Sequence, residues 1–137
     1  MITPQRQAMV HRIQTTMAVG YSAMGAWCVL APASVITLSL TSTFARVDAT
    51  TMLLMQCFGA QAVTTGLLLG TATMTAASFK AFGLAMLPYL GFNVWFGVGP
   101  GKGMFTPVLG LDFVGNIVFA LGSAWCVRLL EEREKGQ

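Results

Sequence analysis

One carboxylic acid and four carboxamides stand inside stretches that are otherwise apolar: Gln56 and Gln61, then Asn93, then Asp112 and Asn116. Asp112 and Asn116 are four residues apart, so on a helix they share a face. Counting about 1.5 Å of rise per residue from the ends of the apolar blocks puts Gln56, Asn93 and Asp112 at similar depth, roughly 7–11 Å in. They are expected to converge, with Asn116 beside them. An acid placed in hydrocarbon costs on the order of a few kcal/mol. Two arrangements relieve that cost. A protonated Asp112 donates to Asn93 or Gln56, or an ionised Asp112 is reached by a snorkelling Lys102 or Arg46. The chemistry is then a small polar pocket, or hydrogen-bond glue between helices at around 0.6 kcal/mol per contact.

The remaining reactive side chains do not assemble into a catalytic or metal-binding set. His11 is the one histidine and lies in a basic flank, far in sequence from any Cys, Asp or Glu that could complete a metal site. Serine–histidine–aspartate catalysis has no basis, because His11 is remote from Asp112. Gly99-Pro-Gly-Lys-Gly103 superficially resembles a phosphate loop, but it lacks the GxxxxGK[ST] spacing. Glu131, Glu132 and Glu134 read as a solvated helix end. Cys28, Cys57 and Cys126 all fall in apolar segments without CxxC spacing, so buried free thiols packing as small hydrophobes are expected. No catalytic residue and no metal ligand is assigned, and no enzyme activity is expected.

The elements that carry these residues are long apolar blocks. Over 137 residues, 55% are hydrophobic and 9% are charged, too few charges for an ordinary water-soluble surface. Blocks of roughly 18 or more apolar residues read as membrane spans. Four spans are expected, at about 10–31, 49–73, 77–98 and 106–130. The first stops at Pro32, which cannot continue the hydrogen-bond ladder. Residues 33–48, rich in Ser, Thr and β-branched types, form an interfacial loop or short helix. Pro88 should kink the third span around Leu84–Pro88. Residues 97–107 form a Gly- and Pro-rich loop, and Pro107 is read as the first-turn proline of the fourth span. The fold expected is all-α: an integral membrane four-helix bundle in one domain, with a short interfacial segment after the first helix.

Arg6, Arg12, Lys80, Arg128, Arg133 and Lys135 fall at one end of such a bundle, and only Arg46 and Lys102 at the other. Six against two places both termini on the cytoplasmic, matrix or stromal side, with an organelle inner membrane or thylakoid among the possible hosts. Nucleic-acid binding is rejected, since no Lys/Arg cluster with interleaved aromatics exists. Helix contact is expected through small residues. These are Gly59, Ala62, Gly66 and Gly70 in the second span, Ala18, Ser22 and Gly25 in the first, and Gly115 and Gly122 in the fourth. Tyr89, Phe92, Trp95 and Phe96 crowd the end of the third span. They read either as interfacial anchors or as a flat wall for a lipid or pigment.

The first span ending at Ala31-Pro32, the interfacial stretch, the Gly-rich second span (Gly59, Gly66, Gly70) and the acid in the outer half of the fourth (Asp112) together resemble the DoxX-like small four-helix membrane proteins. The resemblance covers most of the chain in layout and implies a four-helix bundle with a scaffold-like or lipid-associated, non-catalytic role. Two functional expectations follow. The first is a non-catalytic accessory subunit of a larger energy-transducing membrane complex, photosynthetic or respiratory, with other membrane subunits and lipids as partners. It requires no cofactor, though a lipid, chlorophyll or carotenoid could sit at its periphery. The second is a small membrane binding module for a lipid, quinone or pigment.

Overall fold

The computed structural model describes residues 4–134, with side chains described to 131. Six helical segments follow in order: α1 (Pro4–Leu30), α2 (Pro32–Ser39), α3 (Ala49–Thr71), α4 (Ala76–Ala85), α5 (Leu87–Gly97) and α6 (Leu109–Glu134). No strand forms among the described residues; Leu40 and Phe105 make an isolated antiparallel bridge. Lys135 and the end of the charged tail lie outside the described residues, as does the Arg133 side chain.

Proline punctuates this fold. Ala31 leaves helical geometry (φ −138°, ψ 56°) ahead of Pro32, the first residue of α2, and α2 departs from α1 at 104°. Trp27 Nε1 donates to Ser34 Oγ across the corner (2.9 Å), and Ser34 Oγ donates to Ala31 O (2.7 Å). The expected loop at 33–48 is therefore half helix, from 32 to 39. In the third block, Pro88 supplies no N–H for Leu84 O. The backbone tightens at Met86, whose N–H reaches Gly83 O and Leu84 O, and α4 and α5 separate there. One expectation is corrected here. Pro107 does not open α6; it lies in turns closed by Gly110 N–H to Pro107 O and Leu109 N–H to Thr106 O. Thr106 is instead held by the first half of the chain. Its N–H donates to Ser39 O (2.9 Å) and its hydroxyl to Leu38 O (2.5 Å). That tether stops the helix from starting at 106.

α1 packs most extensively on α3, and α6 on α4 and α5, while α1 and α6 join the two groups. The α1–α3 contact runs through small residues because two backbones lie side by side. A Cβ on Gly59 would stand 2.7 Å from Gly25 O, and one on Gly66 would stand 2.7 Å from Ser22 N. Ala18 and Ala62 continue this seam, and Gly70 touches Ala18 at an ordinary distance. Between the groups, Met17, Ala18 and Leu69 pack with Tyr21, Phe82 and Phe119. Val10, Phe79 and Cys126 form a second core at the end where α1 begins, α4 begins and α6 finishes.

By length and composition, Ala49–Thr71 and Leu109–Glu131 suffice to cross a membrane, and the bent pair α1–α2 makes a third candidate. α4 and α5, of 10 and 11 residues, are singly too short for that. Large apolar side chains cover the outside, among them Leu53, Leu54, Leu67 and Leu68 on α3 and Leu111, Val114, Leu121 and Trp125 on α6.

Candidate functional site

Where α5 runs beside the start of α6, three polar side chains close a hydrogen-bonded triangle. Asn93 Nδ2 donates to Asp112 Oδ2 (2.7 Å). Asn116 Nδ2 donates both to Asn93 Oδ1 (2.9 Å) and to Asp112 Oδ2 (3.0 Å). Asn93 and Asn116 are buried, whereas Asp112 is exposed. The late start of α6 puts Asp112 in the first helical turn rather than six residues into the span. There the unpaired N–H groups and the positive end of the helix favour an acidic side chain. Both amide donors fall on one oxygen, and Oδ1 takes no hydrogen bond from the described residues. The carboxyl acts as an acceptor, and neither Lys102 nor Arg46 pairs with it.

Gln56 is absent from the triangle, against expectation. Its Nε2 donates to Val29 O (3.3 Å), a carbonyl that lost its helical partner when the chain turned at Ala31. The converse contact comes from Gln14, a residue that the sequence does not single out. Gln14 Nε2 donates to Leu69 O (2.6 Å) and Ala72 O (2.9 Å) at the far end of α3. Each helix of the α1–α3 pair thus serves the carboxyl end of the other with a glutamine. Gln14 stands ten residues into α1, and a carboxamide inside the expected first span was the available signal for it.

Beside the triangle, the α1–α3 pair and the α5–α6 pair diverge. The cleft between them holds about 330 Å³, within the usual range for small-ligand pockets. Gly20, Tyr21 and Met24 line it from α1, Phe58, Gln61 and Thr65 from α3, and Tyr89 from α5. On α6, Asp112, Gly115, Asn116 and Phe119 complete the wall. α3 and α6 are not one of the closely packed helix pairs, so the cleft lies between them. Tyr21 stacks on Phe119 (5.0 Å between centroids, 21°) and meets Phe82 edge-on, and its hydroxyl donates to Met86 Sδ (3.2 Å). These contacts fix the aromatic back wall. Gly115 is open: a Cβ there would meet nothing within 4 Å. It belongs to the cleft and not, as expected, to helix packing. Gly122 does pack, against Ile13.

The expected aromatic wall divides in two. Phe92, Trp95 and Phe96 line a shallow outer groove with Pro88 and Gly91, while Tyr89, one position round the helix from Pro88, lines the inner cleft. Phe96 also meets Phe105 edge-on at 5.1 Å. Cys28 and Cys126 are buried free thiols as expected, but Cys57 is exposed. No group of three or more potential metal ligands occurs among the described residues. No protein-family model, curated protein or solved structure matches this chain.

Proposed function

We propose that the chain is a membrane-embedded, non-catalytic binding module that holds a small amphiphilic molecule in the cleft between its two helix pairs. The head group sits at the Asn93–Asp112–Asn116 triangle, and the apolar part lies along Tyr21, Phe58 and Phe119. One observation carries the reading: a cleft of about 330 Å³ lined mostly by apolar and aromatic side chains, with a few polar groups, Asp112 and Asn116 on α6 and Gln61 and Thr65 on α3, the layout that gives a ligand both affinity and orientation. The two long apolar helices and their leucine-rich exteriors support a bilayer setting for the four-span bundle, in keeping with the DoxX-like layout.

The accessory-subunit reading has its own support in the outer groove, where Gly91 has open space beside exposed Phe92 and Trp95. Small-residue faces lend it little, because Gly25, Gly59, Gly66 and Gly122 all find partners within the chain.

Gly115→Leu separates the two readings. It fills open space in the cleft and replaces a helical glycine, which by itself favours the helix by roughly 1 kcal/mol. The expected result is a protein at least as stable as the parent that no longer carries an amphiphile when extracted gently and examined by native mass spectrometry. Parent and variant carrying the same bound molecules would overturn the cleft reading. Both migrating with the same larger assembly and no small molecule would favour the accessory subunit.

A further inference from the structure

We infer that the head group accepted by the cleft is a cation, an ammonium carried on an apolar tail; this rests on the binding-module reading above. The cleft is lined by one ionisable acid, Asp112, and by no Lys, Arg or His among the described residues. The two amides that hold Asp112 converge on Oδ2, which orients the carboxyl and leaves Oδ1 for something outside the triangle. Nothing in the described protein supplies that partner: Arg46 and Lys102, the basic residues of the loops at this end of the molecule, do not line the cleft, nor does any other basic residue among the described ones. The rings around it suit a cation as well. Tyr21, Tyr89, Phe58 and Phe119 line the same space, and aromatic faces attract ammonium groups, more strongly where water is excluded. An anionic head group would meet the carboxyl with no compensating charge. A neutral alcohol could use Asn116 or Gln61 but would leave Oδ1 without a charge partner. The tail would run along Tyr21 and Phe119 and past the exposed Phe58 towards the apolar exterior.

The test uses the full chain in nanodiscs of zwitterionic lipid. The side-chain NH₂ signals of Asn93 and Asn116 are followed by NMR during titration with octylammonium and, separately, octanol. The expected result is that octylammonium moves both signals with an affinity at least tenfold higher than octanol. Asp112→Asn, which keeps the shape and an acceptor oxygen, should abolish that difference, and Gly115→Leu, which leaves Asp112 in place, should abolish both responses. Equal responses to the two probes in the parent would overturn the cationic head group while leaving an amphiphile site standing. No response to either probe would overturn both. If Asp112→Asn failed to fold, the comparison of the two probes on the parent and on Gly115→Leu would still decide the matter.

Discussion

Asn93 shows how one side chain can set a local structure. Its amide gives a hydrogen to Asp112 and its carbonyl takes one from Asn116, so it ties α5 to α6 with both ends used. Leucine at 93 would remove two interhelical hydrogen bonds at around 0.6 kcal/mol each, so Asn93→Leu should lower stability by about 1 kcal/mol. Asn93→Asp should cost more, because it replaces the donor with a second acceptor facing the carboxyl 2.7 Å away. Reversible unfolding in mixed micelles would rank the two; Asp as the milder substitution would contradict the donor assignment. The triangle was partly legible in the sequence. Asp112 and Asn116 share a face by spacing alone, and depth counting brought Asn93 to them. Gln56 sits at the right depth too, but depth says nothing of direction round the helix. The open carbonyl of Val29 that it serves exists only because the chain turns at Ala31.

At the scale of elements, helix ends explain most of the polar contacts. A helix leaves four carbonyls unpartnered at its carboxyl end, and an apolar setting offers no water to fill them. Gln14 meets that need for α3. Gln14→Leu should therefore cost roughly 1–3 kcal/mol, the penalty for stranding the part-buried Leu69 carbonyl, with the loss seen as faster amide exchange at the α3–α4 turn. Unchanged exchange there would remove the capping role. The opposite end of α3 is closed by Asp48, whose carboxylate accepts from Thr51 N–H (2.9 Å) while Thr51 Oγ1 accepts from Asp48 N–H (3.1 Å). The Thr51 backbone bond is the main reason that the carboxyl lies below its ordinary value of 3.8. A lowered carboxyl stabilises the folded form fully above that ordinary value, and the contribution fades as pH falls through the lowered one. The Thr51 amide signal should report loss of the first turn of α3 in acid, whereas Asp48→Asn, a neutral cap, should show no such titration. The sequence displayed the breaks at Pro32 and Pro88 plainly, since a missing N–H acts locally. It hid the start of α6, because Thr106 is held by Ser39 and Leu38, 67 and 68 residues earlier, and no local rule reaches that far.

The whole molecule has two distinct ends, and their chemistry gives it a direction. At one end the loops after α2 and before α6 clasp each other: Thr41 N–H donates to Met104 O (2.9 Å), and Thr41 Oγ1 donates to Gly103 O (2.8 Å). Arg46 and Lys102 lie in these loops. At the other end, the start of α1, the α3–α4 turn and the finish of α6 gather round Phe79, with Arg6, Arg12, Lys80 and Arg128 on the same elements. α3 joins the two ends with 23 residues, about 34 Å of helix, against a hydrocarbon layer of about 30 Å. The separation of the ends thus fits one bilayer thickness, and from the excess of basic residues we propose that the α3–α4 turn faces the cytoplasmic-like side. In a cysteine-free background in sealed vesicles, single cysteines at Thr43 and Lys102 should react with an impermeant maleimide from one face and a cysteine at Thr73 only from the other. Reaction of all three from the same face would mean that α3 does not cross. The asymmetry also bears on the cleft, because Asp112 lies in the first turn of α6, just inside the clasped end. A cationic ligand would therefore meet the carboxyl on the face poorer in basic residues, where the protein's own charges repel it least.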